Sequence, residues 1–95
     1  MTTTPEDQTR LLFDVLSAVK SPEELDRLLE DWLTPHECEE LALRITIAVR
    51  LHRGETYETI QQATGASSTT VSRVRRCLMG GAGGYRLILE RLGSR

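Results

Sequence analysis

The feature that most restricts the fold of this 95-residue chain is a four-residue pattern that begins α-helices and occurs three times. Each copy has a hydroxyl residue, then proline, any residue and an acid, and the copies begin at Thr4, Ser21 and Thr34. The hydroxyl accepts a hydrogen bond from a backbone N–H of the first turn, and proline lacks an N–H that would have no partner there. The carboxylate stabilises the positive end of the helix dipole. The pattern therefore predicts three helix N-termini.

Apolar residues recur at helical spacing after each of these starts, and no segment alternates polar and apolar residues as a strand would. The spacing predicts helices over 5–19, 22–33 and 35–53. A glycine-rich run at 80–84 interrupts helical structure, and the apolar residues after it predict a last short helix over 85–92. Its residues expected to be buried are Tyr85, Ile88, Leu89 and Leu92. The predicted fold class is all-α, and residues 1–95 are predicted to form a single domain.

The third predicted helix is apolar on two sides, with Leu41 and Ile45 on one and Leu43 and Ile47 on the other. A helix of this kind packs against two partners, as in an intertwined dimer. A chain of this length also builds only a small core, which association would enlarge. We therefore expect a homodimer.

Residues 56–79 have the layout of a helix-turn-helix. Thr56 can cap a short first helix, Gly65 stands where the turn needs a positive φ, and Ser67 or Ser68 can cap the second helix. Spaced apolar residues can hold the two helices together: Ile60, Ala66, Val71, Val74 and Leu78. Their spacing leaves a polar outer face on the second helix.

This outer face has the composition of a surface that reads the major groove of double-stranded DNA. Short hydroxyl side chains allow close approach, and arginine can bind guanine through two hydrogen bonds or pair with a phosphate. The predicted groove contacts are Ser67, Ser68, Thr69, Ser72, Arg73 and Arg76. Arg75, which points to the side, and Thr56 are predicted to lie next to phosphates. The alternative is an ordinary helical hairpin with a glycine turn.

The charge distribution is compatible with DNA although the formal net charge is −2. Residues 1–42 hold eleven acidic and three basic residues, a formal charge of −8, whereas residues 43–95 hold three acidic residues and nine arginines, a charge of +6. Because the local field matters more to a polyanion than the total charge, the second half of the chain can attract DNA.

Other classes of function have little support. His36 and His52 are isolated along the sequence and lack the ligand spacing of a metal site, so we predict no metal. No arrangement of nucleophile and base indicates an enzyme, and no stretch is apolar enough for a membrane span or a signal peptide. The two cysteines, Cys38 and Cys77, are expected to be reduced in a cytoplasmic protein.

From Leu33 to Leu78 the chain resembles the Trp repressor family, and its 72–78 run and its ending resemble the YerC/YecD-type branch. The residues that carry the resemblance are Leu33-Thr34-Pro35, Leu43-Arg44, 51–55, 65–67, 70–78 and Gly84-Tyr85 with Leu89-Glu90-Arg91-Leu92. The resemblance implies a six-helix, intertwined homodimer. It also implies that the two reading helices enter successive major grooves of a palindromic operator.

The resemblance further implies a ligand pocket. In the family's repressor L-tryptophan lies between two arginines, which match Arg44 and Arg73, and Thr34 matches another pocket residue. Two positions depart from that pattern, since Val74 stands in place of a small glycine and Cys77 in place of a serine. We therefore predict no cofactor, and either a different small-molecule effector or none.

Together these patterns predict a homodimeric, sequence-specific DNA-binding regulator of transcription, acting as a repressor. Two other interpretations remain open. The chain could be a helical protein-interaction module that keeps the helix-turn-helix as a scaffold, or a sensor of a small ligand held by Arg44 and Arg73.

Overall fold

A computed structural model of the chain describes residues 2–93, and this part of the chain is all-α, as predicted. Its six helices are α1 (Pro5–Ala18), α2 (Pro22–Trp32), α3 (Pro35–His52), α4 (Tyr57–Thr64), α5 (Ser68–Gly80) and α6 (Gly84–Gly93). The first three end one residue before the predicted positions. Val19 and Leu33 have extended backbone instead, because each is the residue that closes its helix. No helix within 2–93 is long and apolar enough to cross a membrane.

The predicted capping pattern is present at the first two helices. The Thr4 hydroxyl accepts from the backbone N–H of Asp7 at 3.1 Å, and the Asp7 carboxylate accepts from the Thr4 N–H at 3.1 Å. The Ser21 hydroxyl likewise accepts from the N–H of Glu24 at 3.1 Å. These bonds use N–H groups that have no partner inside the helix, and they explain why the local sequence places these helix starts correctly.

The chain forms two compact units, Met1–Pro35 (unit 1) and His36–Arg95 (unit 2). Unit 1 contains α1 and α2, and no described residue of it is buried. Leu11 and Phe13 of α1 are 61% and 60% exposed, and Trp32 of α2 is 47% exposed. The apolar residues of unit 1 thus lack the cover that a folded core provides.

Unit 2 has a hydrophobic core to which all its helices contribute. Among residues 2–93 the buried apolar side chains are Ile47, Ala48, Ile60, Ala66, Val71, Val74, Leu78 and Leu89. α3 supplies the first two of these, while Leu41 and Ile45 of the same helix are exposed. The helix is therefore apolar on a packed side and on an unpacked one, as its sequence predicts.

The last helix buries less than its sequence suggested. Of its apolar residues only Leu89 is buried, and Tyr85 packs against the core while half-buried. Ile88 and Leu92, which the sequence also assigned to burial, are each 45% exposed. One helix thus again carries both buried and exposed apolar residues.

Candidate nucleic-acid interface

The helix-turn-helix begins at Thr56, which caps α4 as predicted. Its hydroxyl oxygen accepts from the backbone N–H of Thr59 at 3.2 Å, and its O–H donates to the Thr59 hydroxyl oxygen at 2.9 Å. Within α4 the side chain of Ile60 points into the core and is fully buried. The Thr56 hydroxyl is therefore committed to the start of α4, although the exposed residue can still approach a phosphate.

The turn between α4 and α5 depends on Gly65, whose φ is +74°. Its N–H donates to the carbonyl of Gln61 at 2.8 Å and closes α4 in the left-handed conformation that glycine adopts without strain. Thr64 supports the turn, since its hydroxyl donates to the Ile60 carbonyl at 2.7 Å and accepts from the Ala66 N–H at 3.2 Å. Ala66 is buried beneath the turn.

The start of α5 is fixed by Ser67. Its hydroxyl oxygen accepts from the N–H of Thr70 at 3.1 Å and lies 3.0 Å from the Thr70 hydroxyl. Of the two serines that the sequence offered as a cap, Ser67 is therefore the cap, and Ser68 is the first residue of the helix.

One side of α5 is packed and the other is polar. Val71, Val74 and Leu78 are 0%, 3% and 5% exposed, and they attach α5 to the core of unit 2. All five apolar contacts predicted for the helix-turn-helix are buried. Since residues of a helix are about 100° apart, this leaves Thr69, Ser72, Arg73 and Arg76 on the side away from the core.

The polar side of α5 forms a shallow concave surface with a volume of about 270 Å³. Its lining residues are Ser68, Thr69, Ser72, Arg73 and Arg76, and we call this surface the α5 concavity. Five of the six predicted groove residues are thus brought together, and the sixth, Ser67, is the helix cap. Arg73 and Arg76 are three residues apart, so both guanidinium groups serve the same face of the helix.

Arg75 lies beside the concavity and does not line it. It is exposed and about 100° around the helix from Arg76, which is the sideways position that the sequence suggested. α5 carries three arginines and no acidic residue. The helix thus presents a concentrated positive charge beside short hydroxyl groups. An anionic partner with a groove as wide as a helix can contact both kinds of side chain.

The residues of the predicted ligand pocket come from both units. Thr34 belongs to unit 1, whereas Arg44 on α3 and Arg73 on α5 belong to unit 2, and all three side chains are exposed. Val74 belongs to the buried core cluster that includes Ile47 and Ala48. Its side chain fills space in unit 2 that a glycine at this position would leave open.

The cysteines and histidines of the described residues form no metal site. Cys38 is half-buried, Cys77 is exposed, and both are free thiols. His36 lies 3.9 Å from Glu40 on one turn of α3, with both side chains largely in solvent. Within the described residues no three His, Cys, Asp or Glu side chains are grouped closely enough to hold a metal ion.

Sequence reasoning did not single out Arg50, which forms an ion pair with Glu55. The guanidinium Nη1 lies 2.8 Å from Glu55 Oε1, at the junction between α3 and α4. The two residues are five positions apart, a spacing at which side chains on one helix do not meet. The signal available in the sequence was Gly54, because a glycine that ends a helix brings the residues on either side of it together.

Comparison with known proteins is consistent with this geometry. The family model described as Trp repressor protein matches residues 7–93. The chain is 41% identical over 81 residues to the uncharacterized protein YerC of Bacillus subtilis (strain 168), which covers 85% of this chain and 78% of that protein.

Two solved structures have the same fold. A TrpR-like protein from Eubacterium eligens ATCC 27750 is 37% identical, with a TM-score of 0.84 over 95% of this chain and 91% of that one. A "putative Trp repressor" from Staphylococcus aureus is 36% identical, with a TM-score of 0.86 over 90% of this chain and 86% of that one. The match extends over nearly the whole chain and includes the helix-turn-helix. The chain therefore belongs to the Trp repressor family, a family of DNA-binding regulators of transcription.

Proposed function

We propose that this protein is a homodimeric repressor that binds a palindromic operator in double-stranded DNA through α5. The observation that carries the proposal is the α5 concavity, in which two arginines and three hydroxyl residues share the face opposite the packed side of the helix. An α-helix fits the major groove, where arginine distinguishes guanine by its paired acceptors. In this proposal Arg73 and Arg76 face the base edges, and Arg75 faces a phosphate.

The homodimer is supported by the apolar surface that unit 1 leaves in solvent. Leu11, Phe13 and Trp32 are each close to half exposed or more, which is unusual for large apolar residues of a stable monomer. Ile88 and Leu92 of α6 are exposed as well. A second copy of the chain covers these residues in our proposal, and the dimer then presents two α5 helices to half-sites about 34 Å apart.

We further propose that operator binding does not require L-tryptophan. Val74 is 3% exposed and belongs to the core that holds α5 in place. A branched side chain at this position makes apolar contacts where the family's glycine would leave room for an indole ring. The orientation of α5 is then set by the protein itself, and Arg44 and Arg73 are free for other partners.

The test is in-vitro selection of the purified protein on random duplex DNA, with and without L-tryptophan. We expect a palindrome to be enriched to the same extent in both arms. Enrichment of a single unpaired site would contradict the dimer, and enrichment only with L-tryptophan would contradict the proposed role of Val74.

A second measurement separates DNA from a protein partner. Each phosphate contact contributes about −0.9 to the slope of log K against log salt for duplex DNA. Arg75→Ala removes one contact from each of two copies, so the slope should become shallower by roughly 1.8. Arg91→Ala removes the same charge from an exposed position of α6 and should leave the slope unchanged. If DNA binding by the wild type did not depend on salt, phosphate contacts would be contradicted and a protein-interaction module would be favoured.

A further inference from the structure

The junction between α3 and α4 contains a short ion pair whose two side chains are both largely shielded from solvent. Arg50 Nη1 and Glu55 Oε1 are 2.8 Å apart, and the two side chains are 34% and 25% exposed. An ion pair between mobile surface side chains contributes little, because both must be immobilised in full solvent. Here both partners are mostly shielded, and the short distance is that of a charge-assisted hydrogen bond.

The backbone of the same two residues is also joined. The Glu55 N–H donates to the Arg50 carbonyl at 3.1 Å, and the Gly54 N–H donates to the Leu51 carbonyl at 3.0 Å. Gly54 has a φ of +86°. These are the two hydrogen bonds and the left-handed glycine of a Schellman motif, which usually adds an apolar contact between the outer two residues. In this chain the contact between those residues is the ion pair.

The Schellman motif at Gly54 lies between α3, which is packed in the core, and α4, which packs against α5. Upstream, Ile47 and Ala48 hold α3 rigidly in the core of unit 2, with both side chains fully buried. Downstream, Glu55 directly precedes Thr56, the cap of α4, and α4 packs against α5. Fixing Glu55 against Arg50 therefore fixes the direction in which the chain leaves α3 and enters the helix-turn-helix.

We propose that Arg50 and Glu55 form a clamp that orients the helix-turn-helix, so that Arg50 acts in DNA binding as a positioning residue and not as a phosphate ligand. This inference rests on the proposed DNA-binding function. It assigns to Arg50 a different role from that of the α5 arginines, because its guanidinium is already bonded to a carboxylate.

The test compares three variants on the selected operator: Glu55→Ala, Arg50→Leu and the double variant Arg50→Leu/Glu55→Leu. We expect each single variant to weaken operator binding by about fivefold, without a change in the salt slope. The double variant restores the apolar contact that is usual in this motif, and it should recover most of the affinity although Arg50 is absent. Tm is measured for each variant, and binding is measured well below it.

Three results would overturn the clamp. If Arg50→Leu made the slope shallower by roughly 1.8 and the double variant did the same, Arg50 would be a phosphate ligand in both copies. If Glu55→Ala bound the operator as the wild type does, the ion pair would have no positioning role. The third result comes from hydrogen exchange of free protein: Glu55→Ala should speed exchange of the α4 amides (57–64), and unchanged exchange would contradict the clamp.

The exchange measurement needs no DNA and therefore separates the two proposals. If wild-type protein selects no DNA sequence while Glu55→Ala still loosens α4, the proposed function fails and the clamp stands as a feature of the junction. If the wild type selects an operator and α4 is unaffected, the clamp alone fails.

Discussion

The helices of unit 1 and unit 2 begin with similar capping hydrogen bonds, yet among the described residues only unit 2 has a buried core. The helices of unit 1 begin with well-formed caps at Thr4 and Ser21, but none of its described residues is buried. In unit 2, α3 to α6 and the turn between α4 and α5 share eight buried apolar residues among those described. Capping decides where a helix begins, whereas stability comes mainly from packing an apolar side. The difference indicates that contacts within unit 2 hold α5 in place, and it supports our proposal that a second copy covers unit 1.

The largest effect is expected from a substitution that removes a side chain from the core of unit 2. Ile60→Ala deletes a fully buried side chain from α4 and should lower the free energy of unfolding by about 2–5 kcal/mol. Urea denaturation followed by circular dichroism, at one fixed protein concentration, measures the loss. Gln62→Ala, at an exposed position of the same helix, is the matched control and should change stability by less than about 0.5 kcal/mol. A small loss for Ile60→Ala would mean that unit 2 does not depend on this core.

The second prediction tests whether a second copy covers unit 1. Phe13→Asp places a charge on an apolar side chain that is 60% exposed in the single chain. If Phe13 lies in a dimer interface, the dimer dissociation constant should rise about 100-fold, since truncating a central aromatic costs roughly 2–4 kcal/mol. Sedimentation over a range of concentrations measures this constant.

A matched variant and a second readout accompany that experiment. Gln8→Asp adds the same charge at an exposed polar position of α1 and should leave the dimer intact. In the dissociated Phe13→Asp variant, hydrogen exchange should lose protection over α1 and α2 but keep it over α4 and α5. An unchanged sedimentation profile would show that unit 1 is covered in some other way.

The third prediction compares two arginines within unit 2. Arg73→Ala removes a side chain from the α5 concavity and should relax base preference at one operator position in each half-site, by about 1–3 kcal/mol. Arg75→Ala lies outside the concavity and should weaken binding to all sequences equally. Binding to a panel of single-base operator variants measures both effects. Equal discrimination by Arg73→Ala and the wild type would remove Arg73 from the base-reading set.

The smallest effects are expected from two neighbouring serines, the cap Ser67 and the first helical residue Ser68, which should differ in what they change. Ser67→Ala removes the hydroxyl that accepts from the Thr70 N–H, and it should cost about 1 kcal/mol of stability. Ser68→Ala removes a hydroxyl that lines the concavity, so it should weaken operator binding with little effect on stability. Thermal unfolding together with operator affinity checks the pair. The reverse assignment of effects would mean that α5 starts one residue later.

The helix starts and the helix-turn-helix could be predicted because both depend on local rules. A cap bonds to a residue three positions away, and Gly65 is required by the turn in which it stands. The inward residues of α5 recur at helical spacing, so their burial followed from the pattern of Val71, Val74 and Leu78. The ends of the helices were less exact, because fraying and C-terminal caps shift them by a residue.

The burial of α6 and the ion pair at the α3–α4 junction could not be read in the same way. Periodicity identifies an apolar stripe but not which part of it is covered by a neighbour, so Ile88 and Leu92 were expected to be buried although each is 45% exposed. Arg50 and Glu55 meet only because Gly54 reverses the chain between them. Neither residue forms a periodic pattern that would reveal the contact.

The sequence by itself therefore determined the all-α class, the family resemblance and the set of polar residues that α5 offers to a partner. Only the tertiary structure decided that Ser67 serves as the cap while Ser68 lines the concavity, and that Ile88 and Leu92 stay exposed. The physical reason is one of range. Hydrogen bonds and periodicity act within a few residues, whereas the side of each helix that is packed depends on contacts between segments distant in the chain.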